Sequence, residues 1–111
     1  MTQARLVSSM LVGALLRRAQ AEGGFGTVLA KGDPTAGAIG VVLLERGEKP
    51  SFFERLLQPD GTYSWQRSTG TDEAEVAAAI ERRRRFDPDL WIVELDIASA
   101  ERFAAEMNLL G

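Results

Sequence analysis

Residues 38–44 constrain the fold more than any other segment. Ile39, Val41, Val42, Leu43 and Leu44 follow one another without polar alternation, so both faces of the strand they form are apolar. A strand of that kind is a central one, with neighbours on either side. Turn residues bound it: Gly32-Asp33-Pro34-Thr35-Ala36-Gly37 before and Gly47-Glu48-Lys49-Pro50 after. Pro fixes φ, Asp can hydrogen-bond its own backbone, and Gly tolerates φ > 0.

The other segments are read as what surrounds this strand. Helical spacing of Met10, Leu11, Ala14, Leu15 and Ala19 predicts an N-terminal helix, with Ser8 or Ser9 as its cap, Leu6 and Val7 as a staple, and Gly23-Gly24 as its stop. Residues 25–31 predict a strand. Residues 51–58, with Phe52, Phe53, Leu56 and Leu57 around Glu54 and Arg55, predict another, and Pro59-Asp60-Gly61 turns the chain into a strand over 62–67. There Tyr63 and Trp65 share one face while Thr62, Ser64 and Gln66 share the other, which marks a strand wet on one side.

A second helix opens at Asp72, with Glu75 three residues on, Val76 and Ile80 toward the core, and Arg82 to Arg85 at its negative end. Pro88 stops it, because the preceding Asp87 is pushed out of helical geometry. In residues 90–96, Trp91, Val93 and Leu95 face one way and Ile92, Glu94 and Asp96 the other. A last helix from Ser99 presents Phe103, Met107 and Leu110 at i, i+4 and i+7. The class is α+β: one domain over residues 1–111, two layers, a helix, an antiparallel four-strand meander, a helix, a fifth strand and a C-terminal helix. The helices are expected on one face of the sheet. The fifth strand returns through a helix, so it can join a neighbour in parallel by a right-handed crossover.

Composition then limits function. The chain has 111 residues with no Cys and no His, which removes disulfides, thiolate nucleophiles, structural zinc and imidazole proton shuttles. A net charge of −3 argues against nucleic-acid binding through bulk charge. The nearly uncharged run over 6–16 is shorter than the roughly 20 residues a membrane span needs. With Arg17-Arg18 after it and no basic segment before it, it does not read as a signal peptide, and a cytoplasmic protein is expected. The basic residues are almost all Arg in an Ala- and Gly-rich chain, a bias that a GC-rich genome produces by itself, so every arginine argument is discounted accordingly.

Each candidate site has a plain structural reading beside it. Four consecutive arginines, Arg82-Arg83-Arg84-Arg85, point around a whole helix at about 100° per residue and so form no single patch. Dipole compensation and a pairing of Arg85 with Glu81 account for them. The functional reading is an anion site made by Arg17, Arg18, Arg83 and Arg84 for a phosphorylated small molecule or RNA. It requires two helices docked on one face with neighbouring ends. Asp87, Asp89 and Glu94 have oxygen donors suited to Mg²⁺ or Mn²⁺, which would make a divalent-metal phosphohydrolase. Asp at a helix-to-strand turn is expected punctuation, and no metal or other cofactor is expected.

Residues 32–37 resemble a phosphate loop only in their glycines; they lack the Gly-Lys-Ser/Thr ending and lead into a strand, so a hairpin connection is expected. Phe52, Phe53, Tyr63, Trp65 and Trp91 would stack bases if they faced solvent, but alternate strand positions are core positions. If helices cover one sheet face, Phe53, Leu57 and Trp65 leave an apolar patch on the other, a self-association or partner surface. The serines, threonines, Tyr63 and lysines show no nucleophile–base spacing, so the chain does not read as an enzyme. The expectation is a small binding or regulatory module acting through sheet-face or edge contacts, with itself or another protein.

Three segments carry a family resemblance: Leu15-Leu16-Arg17-Arg18, then Lys31-Gly32-Asp33-Pro34-Thr35-Ala36-Gly37-Ala38-Ile39, then Phe86-Asp87-Pro88-Asp89-Leu90-Trp91-Ile92-Val93-Glu94. Their order and wording resemble the domain-of-unknown-function family fourteen-ninety-one. The resemblance runs over nearly the whole chain, Phe-Asp-Pro-Asp-Leu-Trp being its most specific piece and residues 52–70 its weakest. It implies an alphaproteobacterial, cytoplasmic origin. It brings no activity, so no catalytic or binding residue is carried over.

Overall fold

In a computed structural model, residues 7–109 are described. The elements are α1 Ser8–Ala21, β1 Phe25–Ala30, β2 Ile39–Glu45, β3 Glu48–Leu57, β4 Tyr63–Arg67, α2 Glu73–Phe86, β5 Trp91–Ile97 and α3 Ala100–Leu109. The fold is α+β, with three helices packed on one five-stranded sheet. Two expected core contributors, Leu6 and Leu110, lie outside the described residues. Among the described residues no helix is long and apolar enough to cross a membrane.

The strand order is β1-β5-β2-β3-β4. β2, β3 and β4 form the expected antiparallel run, but β1 does not extend it, and residues 32–37 are not the hairpin turn expected there, since β1 and β2 are not neighbours. β5 enters between β1 and β2, antiparallel to β1 and parallel to β2, with Ile39 opposite Trp91 and Glu45 opposite Ile97. The four-strand meander is thus corrected to three strands plus an inserted fifth. The reason lies in side-chain composition: β5 and β2 are buried on both faces and suit the sheet interior, whereas most of β1 is exposed and suits an edge.

The layering is corrected as well. α1 and α3 share one cluster with Ile39, Val41, Leu43, Phe53, Trp65, Val93 and Leu95. α2 buries Val76 and Ala79 on the opposite side of the sheet, against Val42, Phe52, Leu90 and Ile92. Alternate residues of β2 enter the two clusters, so the same strand that demands a central position also demands cover on both faces. Two layers become three.

Local chemistry sets the element ends. The β2–β3 turn is Arg46-Gly47, both left-handed at φ 51° and 80°, the backbone of a two-residue hairpin whose twist matches its strands. Glu48, Lys49 and Pro50, expected in the turn, belong to β3. Lys49 at φ 53° opens a bulge opposite Leu44, where the missing N–H of Pro50 is tolerated. Asp72 caps α2 as expected, its carboxylate accepting from the Ala74 N–H at 3.1 Å. Ser99 does the same for α3, its hydroxyl accepting from the Arg102 N–H.

Neither Ser8 nor Ser9 caps α1 with its side chain; Val7 is the N-cap residue. The Ser8 and Ser9 N–H groups donate instead to the carbonyls of Thr35 and Pro34 at 3.1 and 2.9 Å. Met10, read as a core residue, is exposed, while Leu11, Val12, Leu15 and Ala19 form the buried stripe.

Candidate functional site

The loop over 32–37 is bound on both sides by the protein itself. Asp33 folds it into a turn, its carboxylate accepting from the Thr35 and Ala36 N–H groups. The indole N–H of Trp91 donates to the Asp33 carbonyl at 2.7 Å, and the Asp33 N–H donates to the carbonyl of Asp89 at 3.0 Å. The Ser8 hydroxyl donates to the Gly37 carbonyl at 2.6 Å. A Cβ on Gly32 would stand 2.1 Å from the Asp89 carbonyl oxygen, so this close approach requires glycine. Two of the resemblance-bearing segments thus meet at one junction that fixes the start of β5 and the start of α1. The loop presents carbonyls to the α1 N-terminus, so the donors there that an anion would need are already used.

The four arginines do not converge. Arg17 and Arg18 lie on α1 and Arg83 and Arg84 on α2, on opposite sides of the sheet. Arg18 is engaged by Glu22 and by Glu106 of α3, at 3.2 and 2.8 Å. Hydrogen bonding to Glu106 first, and to Glu22 second, raises its pKa above the ordinary arginine value. In turn Glu22 and then the Arg18 guanidinium hold the Glu106 carboxyl below the usual carboxylate range. Arg83 makes a short contact with Glu54 of β3, whose other oxygen accepts from the Ser68 hydroxyl at 2.6 Å. Arg85 pairs with Glu81 as expected. Arg17 and Arg84 make no ion pair among the described residues, but they stand on different faces.

The acidic trio is similarly dispersed. Asp87 ends α2 and accepts from the Asp89 N–H, while Glu94 lies in the middle of β5 between Thr27 and Val42. Among the described residues no group of three carboxylates is placed to hold a metal ion.

The expected apolar patch breaks up. Phe53 and Trp65 are buried beneath α1 and α3, and only Leu57, at the tip of β3, is exposed. The expectation took that sheet face as bare, whereas α3 covers it. The Trp65 backbone N–H donates to Asn108 of α3 at 2.7 Å, closing the outer edge of β4 at its middle. The Trp65 indole N–H has no acceptor among the described residues.

Exposed apolar side chains gather at the other edge. In β1, Phe25 is 64%, Val28 39% and Leu29 50% exposed. A bulge at Leu29 shifts the register against β5. Among the described residues no other element donates to or accepts from the outer edge of β1. Residues 25–31 were expected as the first strand of the meander, with no statement of which of their side chains face solvent.

A cleft of about 390 Å³ opens at the carboxyl ends of β2 and β4, between the sheet and the start of α3. Lys49 and Arg67, from the strands, and Glu45 and Glu101, from the end of β2 and the start of α3, are among the residues that line it. Ser51 is 2% exposed, and its hydroxyl has no partner among the described residues. The Glu45 carboxylate accepts from the Ala100 N–H at 2.8 Å and so sits at the positive end of α3. None of these residues was singled out from the sequence. The available signal was parity: Ser51 is a polar residue at an inward position, two before Phe53.

A second cleft, of about 330 Å³, lies beside Val7, Gly37, Arg55 and Tyr63. There the Arg55 guanidinium stacks 4.1 Å from the centre of the Tyr63 ring.

Residues 6–105 match the family described as "Protein of unknown function (DUF1491)". The crystal structure of a DUF1491 family protein from Caulobacter crescentus is similar, with 37% identity and a TM-score of 0.82, covering 89% of this chain and 94% of that one. A solution structure of a protein from A. tumefaciens is similar at 34% identity and a TM-score of 0.78, covering 91% of this chain and 93% of that one. No curated protein matches.

Proposed function

Since this chain belongs to the DUF1491 family, whose description carries no activity to transfer, we propose from its own surface that it is a protein-interaction module that pairs with a second copy through β1. The supporting observation is the open outer edge of β1 with Phe25, Val28 and Leu29 exposed along it. An unpaired strand edge carries free N–H and C=O groups and is a template for another strand. β1 contains neither Lys nor Pro, residues that blunt such edges. Antiparallel pairing of two β1 strands about a two-fold axis is self-complementary and closes at two copies. The opposite edge, at β4, is engaged at its middle by Asn108, which hinders a continuous strand pairing there.

Sedimentation velocity over a range of concentrations tests this. The expected result is a concentration-dependent dimer that Val28→Lys converts to monomer while circular dichroism stays unchanged. A monomer at every concentration, or a dimer indifferent to Val28→Lys and to a Leu29→Pro variant, refutes the proposal.

A further inference from the structure

We infer that the cleft between the ends of β2–β4 and the start of α3 binds a small zwitterion, a molecule carrying a carboxylate and an ammonium on a short apolar body. The inference stands apart from the β1 reading and uses none of its residues. Its basis is a set of charges of both signs that the protein leaves unpaired. Lys49, Arg67, Glu45 and Glu101 all line the cleft, yet none of the four joins an ion pair among the described residues. Charged side chains around a cleft with low-dielectric walls focus their field into it. A ligand with both charges is complementary to that field, whereas a simple anion meets two carboxylates and a simple cation meets two basic groups.

The floor and walls supply the rest. The Ser51 side chain lines the cleft at a residue exposure of 2%. It can donate to a carboxylate held by Arg67 and Lys49. The Glu45 carboxylate is oriented by the Ala100 N–H, so it is a fixed acceptor for an ammonium. Phe53 and the small side chains of Ala100 and Ala104 leave an apolar strip for the body of the ligand. The cleft volume of about 390 Å³ is at the small end of the usual range for such sites and leaves room for a free amino acid with its water.

Three probes with a shared apolar body test it by amide-resolved NMR titration and calorimetry: L-leucine, 4-methylpentanoate, which lacks the ammonium, and isoamylamine, which lacks the carboxylate. Leucine should move the amides of Ser51, Arg67, Ala100 and Glu101. It should bind at least about tenfold more tightly than either single-charge probe, the worth of one charge-assisted hydrogen bond. Arg67→Gln and Ser51→Ala should each weaken leucine binding while keeping the amide spectrum of a folded protein, and Arg84→Glu should leave it unchanged. Silence with leucine up to its solubility refutes the inference. So does equal binding of 4-methylpentanoate, and so do shifts that survive both Arg67→Gln and Lys49→Gln.

Discussion

Replacing Gly40 with alanine probes the packing under α2 where the sheet has least room. A Cβ there would stand 2.6 and 2.7 Å from two ring carbons of Phe52 and 3.3 Å from Ile92 Cδ1. The ring must retreat by most of an ångström, and Phe52 is 0% exposed, held among Val42, Val76 and Ile92. Gly40 is not left-handed, so no backbone strain adds to the contact. Overpacking of this kind costs about 1–3 kcal/mol, against which alanine recovers about 0.4–1 kcal/mol by restricting the unfolded chain. The net expectation is a loss of about 1–2 kcal/mol.

Phe52→Leu alone should cost about 1–2 kcal/mol through lost packing. Combined with Gly40→Ala it makes room for the new methyl, so the double variant should be more stable than the sum of the two changes by about 1 kcal/mol. Urea unfolding followed by the fluorescence of Trp65 and Trp91 reads this directly. With a slope of about 1–3 kcal/mol per molar urea, each single change moves the midpoint by roughly 0.5–1 M. Strict additivity, or a neutral Gly40→Ala, would refute the close approach of Phe52 to Gly40.

Trp91→Phe removes the indole donor to Asp33 and should cost about 1 kcal/mol, with amide shifts confined to residues 32–37 and the start of α1. Glu54→Ala leaves both Arg83 and Ser68 without their acceptor; because Arg83 is more than a third exposed, thermal denaturation should show a loss of at most about 1 kcal/mol. Arg84→Glu should change stability by less than about 0.5 kcal/mol. Glu106 and Asp60, the latter hydrogen-bonded by the Thr62 hydroxyl and then its backbone N–H, both titrate below their ordinary values in the fold. Depressed folded values give stability that is present above the unfolded values of about 4 and is lost as pH falls through the folded ones. Glu106→Gln should therefore flatten the acid side of a stability-against-pH curve while changing its slope little at neutral pH.

Much of the fold was legible because local signals were strong. Asp72 and Pro88 bracket α2, the alternation of Trp91, Val93 and Leu95 assigns the faces of β5, and the unbroken apolar run of β2 places it centrally. The strand order was not legible, because the partner of β1 is β5, at the far end of the chain. β1 stands at an edge both in the expected order and in the real one, so its own residues carry no trace of that partner. The two-sided cover by helices follows from a β2 apolar on both faces, whereas the α+β pattern of elements points to helices on one face. That layering turned Phe53 and Trp65 from core residues into surface ones, since alternation states which residues share a face and not which face is covered. The cleft was illegible for another reason: Glu45, Lys49, Ser51, Arg67 and Glu101 come from four elements and form no motif until the sheet assembles them.

The insertion of β5 between β1 and β2 also dictates an order of events during synthesis. β2, β3 and β4 are joined by short turns and can pair as soon as they emerge. β1 is made first yet has no strand to pair with until residues 91–97 are made. Through that interval the nascent chain carries an unpartnered flank on β2 and an unpaired β1, both rich in apolar residues and open to wrong partners. The C-terminal third of the sequence therefore decides when the N-terminal third can fold, and a chain released before β5 would hold α1 and β1 with no strand to dock them.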